Sequence, residues 1–428
     1  MNIFWHRRDL RTFDNTGLHQ ALENCSDVQP IFIFDSNIID ELEDNDPRVN
    51  FIYFQLEKIN NELKDFGCTL KVYYGDPLEI FKEIINKVSL QNVYTNKDYE
   101  PYSIERDKSI EKLLNHNNIN FHSFKDQVIF EENEVVKNDG LPYTVFTPFK
   151  NKWLARFKEN KPIINNRLKT ENYKESNYDF PTLEDFGFRL SKIKIPEFDL
   201  KKVPDYDATR NYPFIDGTSR IGPHLRFGTV SVREIVEKVK AVNITYLSEL
   251  IWREFFMQIL WHFPHVVNDN FRSKYNAVPW RNDEKDFEKW CKGETGYPLV
   301  DAGMRELNET GFMHNRVRMI TAGFLCKHLL IDWRWGEAYF ARKLLDYELA
   351  SNNGNWQWSA GTGCDAAPYF RVFNPTEQIK KFDKQKAYIN KWVKDLNELT
   401  YPTPMVDHAF ARNRAIATYK DALASVVA

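Results

Sequence analysis

From residue 1 to about residue 130, short β-branched or aromatic runs alternate with longer amphipathic stretches. Ile3 to Trp5, Pro30 to Phe34, Thr69 to Tyr74, Asn92 to Tyr94 and Phe121 to Phe124 are the predicted strands, with helices between them. Strands that recur between helical patterns predict a doubly wound α/β domain on a mainly parallel sheet. No GxGxxG follows the first strand, so the usual dinucleotide fingerprint is absent, and a cofactor on this domain needs another kind of pocket.

A looser region follows over 131–200, with the turn Asn138-Asp139-Gly140 and the mostly polar run Lys158 to Ser176. It reads as a long connection between domains, and a connection of that length wraps a surface or holds function; wrapping is the reading adopted. From about residue 201 helical periodicity takes over, in Ser231 to Val242, Tyr246 to Trp261, Asp301 to Thr310, Arg316 to Leu330 and Gly336 to Leu345. The expected organisation is an α/β domain over 1–130, a connection over 131–200 and an all-helical domain over 201–428, with no internal repeat.

Composition narrows the class. The chain has 428 residues, of which 42% are hydrophobic and 28% charged, without low-complexity tracts, so the whole of it is expected to fold. Its longest apolar runs, such as Met319 to Leu325, are broken by polar residues long before they could span a bilayer. The opening Met1-Asn2-Ile3-Phe4-Trp5 meets charge at once, unlike a signal or transit peptide, and the expected location is the cytoplasm. The chain is expected to act as a monomer. Five scattered cysteines with no CxxC pair suggest neither a disulfide framework nor a zinc site, and no metal is expected. The net charge of −3 excludes a globally basic nucleic-acid binder, so any DNA surface must be a local patch.

Several segments carry a resemblance. TSRIGPHLRFG at 218–228, ELIWREFF at 249–256, TGYPLVDAGMREL at 295–307, GFMHNRVRM at 311–319 and NNGNWQWSAGTGCDAAPYFRVFNP at 352–375 resemble the photolyase/cryptochrome family, as does the opening Trp5-His6-Arg7-Arg8-Asp9-Leu10-Arg11. The strings cover essentially the whole chain in family order. The resemblance implies FAD held without a covalent bond in the helical domain. There, reduced FAD excited by blue light passes an electron to a pyrimidine dimer in DNA, and the two bonds of the cyclobutane ring break. Such one-electron chemistry belongs to the cofactor, and the protein holds flavin and lesion in register.

For the flavin, Thr218, Ser219 and Arg220 offer backbone N–H groups, hydroxyls and a cation suited to a diphosphate, although by themselves they read as a helix cap. Tyr206 resembles the family's tyrosine at this cofactor, while Gly222 stands where the family usually has a serine. Arg318 and Asp346 resemble the pair beside the isoalloxazine ring, and Asn352 the residue facing flavin N5. A neutral amide there bonds the flavin without supplying a ready proton. Glu348 departs from the aspartate common in related repair enzymes.

Glu249 and Trp252 share a helical face, as do Asn315 and Met319, so each pair can line a cavity. Read alone, Trp252 and Met319 are ordinary core residues and Glu249 a solvated one. The resemblance makes them a dimer-binding set: Glu249 to a pyrimidine carbonyl or imide, Asn315 and Arg316 for polar contacts, Met319 for apolar packing, Trp252 and Trp358 as aromatic walls for flipped-out bases. Glu249, Asn315, Met319 and Asn352 are the expected catalytic set. Trp280, Trp333 and Trp356 match the family's tryptophan triad, which carries electrons to photoexcited oxidised flavin.

A single histidine, His314, lies where six-four photolyases place a pair, which favours the cyclobutane lesion and leaves the six-four lesion as the alternative. A cryptochrome-type photoreceptor is the other alternative; Asn352, Glu249, Met319 and the short stretch after the matching region argue against it. Tyr102 and Ser103 stand where folate-type enzymes have Asn-Glu, so a folate antenna in its usual pose is disfavoured, and a deazaflavin-type pigment or none fits the EPY...RD pattern better. Arg316, Lys380 and Lys381 are candidates for a basic rim toward damaged DNA, with binding weakened by salt.

Overall fold

The structure, a computed structural model, describes residues 1–427. Strands β1 (Asn2–His6), β2 (Val28–Asp35), β3 (Lys71–Gly75), β4 (Asn92–Asn96) and β5 (Asn120–Phe124) form one sheet in the order β3-β2-β1-β4-β5. Every pairing is parallel. Alternation along the strands decides which face each side chain serves. Ile3, Trp5, Ile31, Ile33 and Val93 pack with Phe81, Ile84, Ile110 and Leu114 of the Pro77–Lys87 and Pro101–His116 helices. Phe4, Phe32, Phe34 and Tyr94 face the other way, onto Leu18, Leu22, Leu56 and Ile59 of the Thr16–Asn24 and Pro47–Lys64 helices. Both faces are thus covered, as a parallel sheet requires.

The chain divides into two compact units, and the division does not follow residue 201. The first unit comprises 1–135, 152–198 and 220–247; the second comprises 136–151, 199–219 and 248–428. Segment 220–247, whose periodicity reads as part of the helical domain, belongs with the sheet because of one charged cluster. Arg233 donates to Asp14 Oδ2 at 2.9 Å and Asp126 Oδ1 at 2.8 Å, and Arg11 reaches Asp126 Oδ2 at 2.7 Å, all four side chains being buried. Burial alone would raise the Asp126 carboxyl, but Arg11 and Arg233 hold it down at about 2. Its contribution to stability is therefore complete above the ordinary carboxylate range and lost as pH falls through about 2. Arg233→Leu leaves Asp14 and Asp126 short of a buried cation and should cost about 3–5 kcal/mol in a urea titration; a loss below about 0.5 kcal/mol, ordinary for a surface change, would contradict this.

The 131–200 region is not a bare connection. Phe146–Glu159 is a helix, and Tyr173, itself buried, bridges to Val28 at the start of β2, so the stretch from 152 wraps the sheet unit. Asn138-Asp139-Gly140 is the expected turn, closed by Lys137 N–H to Leu141 O, with Gly140 at φ +80°.

Helix Ile244–His262, which belongs to the second unit from Ser248 on, and helices Pro298–Thr310, Asn315–Gly323, Trp333–Lys343 and Leu349–Ala360 of that unit carry the residues that matter below. The expected single helix from Arg316 to Leu330 changes at Phe324 into a π turn reaching His328. Here Lys327 is buried, donating from Nζ to Ala360 O at 2.6 Å and lying 3.8 Å from the Tyr419 ring centroid, and burial lowers its ammonium to about 7. Gly336 is needed for close approach: a Cβ there would fall 2.1 Å from the Trp356 ring.

Candidate functional site

Helices Asn315–Gly323, Trp333–Lys343 and Leu349–Ala360 of the second unit surround a cavity. Asn315, Arg318, Met319, Asp346, Glu348, Asn352, Trp356 and Trp358, eight residues singled out in the sequence, all line it. The i, i+4 spacing of Asn315 and Met319 places both on the cavity face of one helix, and that of Asn352 and Trp356 does the same on another. Ala322, Phe340 and Leu344 complete the apolar part of the lining.

The polar groups of the lining are fixed by partners. Arg318 Nη2 lies 2.9 Å from Asp346 Oδ2 and 3.1 Å from Oδ1, and its Nε donates to Met313 O at 2.7 Å. Glu348 accepts from Arg253 Nη2 at 2.9 Å, with the Ser351 hydroxyl 3.3 Å from its other oxygen. The Asn352 amide donates to Glu337 twice, to the side-chain Oε1 at 2.8 Å and to the main-chain oxygen at 3.1 Å. Burial raises the Glu337 carboxyl, and the Asn352 hydrogen bond only partly opposes it. A planar polar heterocycle requires apolar walls with a few convergent donors and acceptors. Asn352, Arg318 and Asp346 against Trp356, Phe340 and Leu344 provide that combination, so the lining fits a flavin.

Trp252 and Trp358 meet in a smaller, tightly packed recess, shared with Phe256, Gly354 and Cys364. Trp358 lines both spaces. One face of the Trp252 indole is covered by Phe146, stacked at 3.6 Å between ring centroids and 7° from parallel. Glu249 is not part of either lining and is held instead by Arg210, at 2.5 Å. Burial raises its carboxyl despite that cation. Arg316 donates to Asn211 and lies 4.4 Å from the Phe382 ring centroid, beside which Lys381 also sits at 5.1 Å.

The other expected flavin contacts lie outside the cavity lining. Tyr206 lies beneath Arg210, 5.2 Å from its guanidinium. Thr218 and Ser219 close the 199–219 segment of the second unit, whereas Arg220, at φ +55°, opens the 220–247 segment of the first. Among the triad, Trp333 and Trp356 are buried and Trp280 is half-buried, all against one core cluster. Tyr102 donates to Asp35 Oδ2 at 2.7 Å and Ser103 is buried, both in the first unit.

Arg210, Arg253, Glu337 and Phe146 were not singled out by the sequence. Arg253 is four residues from Glu249 on the same helix, a spacing that could have drawn attention to it. Phe146 lies within the supposed connection and offers no such signal.

A mostly apolar cavity with a few convergent polar groups in a helical unit, in a chain that also carries a doubly wound sheet unit, is the arrangement of a two-unit protein whose site fits a flavin. Residues 2–166 match the family model described as DNA photolyase, and residues 246–400 match the FAD binding domain of DNA photolyase. The chain belongs to the photolyase/cryptochrome family. It is 34% identical to the deoxyribodipyrimidine photo-lyase of Halobacterium salinarum, with 99% of each chain covered, and 34% identical to that of Escherichia coli, with 98% of each covered. Among solved structures it is similar to the archaeal photolyase of Sulfolobus tokodaii with two FAD molecules (36% identity, TM-score 0.86, 98% of this chain and 100% of that one). It is also similar to the class III photolyase of Agrobacterium tumefaciens (32% identity, TM-score 0.87, 98% and 97% covered). Among the described residues, no helix is long and apolar enough to cross a membrane.

Proposed function

We propose that this protein is a deoxyribodipyrimidine photo-lyase that repairs cyclobutane pyrimidine dimers in DNA under blue light. The observation that carries the reading is the single cavity on which Asn352, Arg318 and Asp346 converge beside Asn315, Met319 and Trp358. Bound, reduced FAD supplies the absorbed light and the electron that opens the cyclobutane ring, and recovers that electron afterwards.

The protein's own residues position and insulate. Arg318 and Asp346, locked together, would offer a cation and a carboxylate to the polar edge of the isoalloxazine, with Glu348, Tyr206, Thr218 and Ser219 as further cofactor contacts. Asn352 turns a neutral amide toward flavin N5. Its two bonds to Glu337 fix its orientation, so the amide does not rotate on each cycle. Met319 and Trp358 exclude water on the lesion side, and Asn315 and Arg316 give polar contacts there. Glu249, its carboxyl raised by burial and steadied by Arg210, is the proposed hydrogen-bond partner of a pyrimidine. Trp252, backed by Phe146, is a preformed aromatic wall whose stacking compensates a base for leaving the duplex. Tyr102 and Ser103 in place of Asn-Glu disfavour a folate in its usual pose and leave a deazaflavin-type pigment or none as the antenna. The enzyme works as a monomer in the cytoplasm, on damaged DNA, with Lys380 and Lys381 on its basic rim.

Glu249→Ala tests the lesion assignment. It removes a charge-assisted contact worth about 1.5–3 kcal/mol, so light-driven repair of a thymine-dimer oligonucleotide should fall roughly 10- to 100-fold with flavin content unchanged. Repair at the wild-type rate would remove Glu249 from the lesion site.

A further inference from the structure

We propose that the last helix, His408–Val427, is held to the second unit by a latch of two histidines, His328 and His408, which mild acid opens, releasing the helix and uncovering Trp280. The latch needs no cofactor; only the significance of Trp280, as the half-buried member of the expected electron route, rests on the flavin reading above. The apolar side chains the helix buries are Ala411, Ala415, Tyr419 and Ala422, three of them alanines with little area to remove from water. Polar ties therefore carry a large share of the docking. His328 Nε2 and His408 Nδ1 lie 2.9 Å apart in a hydrogen bond, Arg414 Nη2 donates to His328 O at 2.6 Å, and the Tyr419 hydroxyl donates to Ala360 O at 2.8 Å. Two of these end on His328.

The geometry of the pair has room for one proton and no more. His328 is buried, its ring stacked on Phe324 at 4.6 Å between centroids and 6.0 Å from the Tyr297 ring. Its Nδ1 has no hydrogen-bond partner among the described residues. With both rings neutral, His328 donates from Nε2 to His408 and leaves that partnerless Nδ1 without a proton. A proton added to His408 turns the shared bond around and moves the His328 proton to Nδ1, and a proton added to His328 goes to Nδ1 directly. Either way a buried N–H is left unpaired, which is costly. A second proton would set two N–H groups face to face.

The surroundings offer an added proton little compensation. Arg412 and Arg414 of the last helix, Lys327 of the π turn and Asp407 surround the pair, with Arg281 and Asp286 beside Arg414 and the Tyr297 phenol turned away to Val406 O. Asp407 is the carboxylate that acts on His408, and its Oδ1 already accepts from Phe410 N–H. Burial, then His408 and Arg414, push the His328 imidazole down to about 3; burial and Arg412 lower His408 as well. Released rings titrate near 6.5. Docking is therefore at full strength above about 6.5 and weakens as pH falls below it, because the released state takes up the protons. Lys327, lowered by burial to about 7, gains its charge in the docked state before the histidines begin to titrate. Tyr419 packs edge-on against Trp280 at 5.9 Å and 88°, so it leaves with the helix and opens that indole to water.

The test is amide hydrogen exchange of the full chain at about pH 7 and about pH 5.5, corrected for the intrinsic pH dependence of exchange and read as protection of 408–427 against protection of the five strands. Each ring that titrates near 6.5 on release raises the open population roughly tenfold over that interval, so a loss of protection of roughly 10- to 100-fold, confined to the last helix, is expected. His328→Gln combined with His408→Gln leaves polar side chains that do not titrate, and its protection should be the same at both pH values. Should that double variant fail to fold, His408→Gln alone should lose less protection than the wild type. Wild-type protection that does not change with pH, or a variant that loses as much as the wild type, overturns the latch. A protein that binds no FAD would overturn the flavin reading and leave this outcome unaffected.

Discussion

Trp356→Phe should give a protein that repairs normally once its flavin is chemically reduced but that light alone scarcely reduces. Of Trp280, Trp333 and Trp356, Trp356 alone lines the cavity, so the electron route passes through it. A photoreduction rate lower on the order of 100-fold is expected, equivalent to about 2.7 kcal/mol at 1.36 kcal/mol per factor of ten. The fold should survive, because replacing one buried aromatic ring by another removes less than the roughly 3–5 kcal/mol lost on truncating tryptophan to alanine. The measurement is the initial rate of flavin reduction under blue light, with repair by dithionite-reduced protein as the control. Equal photoreduction in both proteins would show that electrons enter the cavity elsewhere.

Asp346→Ala has the second large effect, on the cofactor itself. It strands Arg318 at the cavity wall, where the pair is about three-quarters buried, the side chains being 25% and 22% exposed. Breaking a fully buried pair at an interface costs roughly 2–5 kcal/mol. Partial exposure argues for the lower end, about 2 kcal/mol, or a roughly 30-fold weaker Kd for FAD. Titration of FAD into apoprotein measures it directly. An unchanged Kd would place the flavin's polar edge away from Arg318.

The sheet was readable in the sequence because short continuous apolar runs such as Ile3-Phe4-Trp5 and Pro30 to Phe34 are what strands buried on both faces require. Four of the strands extend one or two residues beyond the predicted runs, since residues such as Asn2, His6 and Asp35 pair in the ladder without being apolar, whereas β3 begins only at Lys71, two residues after the predicted Thr69. The Phe146–Glu159 helix escaped notice inside a polar, turn-rich region. Segment 220–247 was misleading for a different reason. Helical periodicity reports that an element has an apolar face, not which core receives it, and here buried charges on Asp14 and Asp126 decide the matter.

The same limit applies to the site. Helical spacing was enough to pair Asn315 with Met319 on one face, whereas Arg318, Asn352 and Trp356 were singled out by the family resemblance. Their partners were not readable. Arg210 meets Glu249 across 39 positions and Arg253 meets Glu348 across 95, distances over which no periodicity operates. The π turn at Phe324–His328 likewise follows from where Lys327 finds Ala360 O and the Tyr419 ring, a tertiary accommodation that helix propensity cannot anticipate.

The most direct test of the central claim is to illuminate the FAD-reduced protein with blue light on two defined oligonucleotides, one carrying a cyclobutane thymine dimer and one a six-four product, each with a dark control. Loss of the cyclobutane dimer in the light only, with the six-four product untouched, is the predicted result. Photoreduction of the flavin with neither lesion repaired would contradict the account and make the protein a photoreceptor built on the same fold.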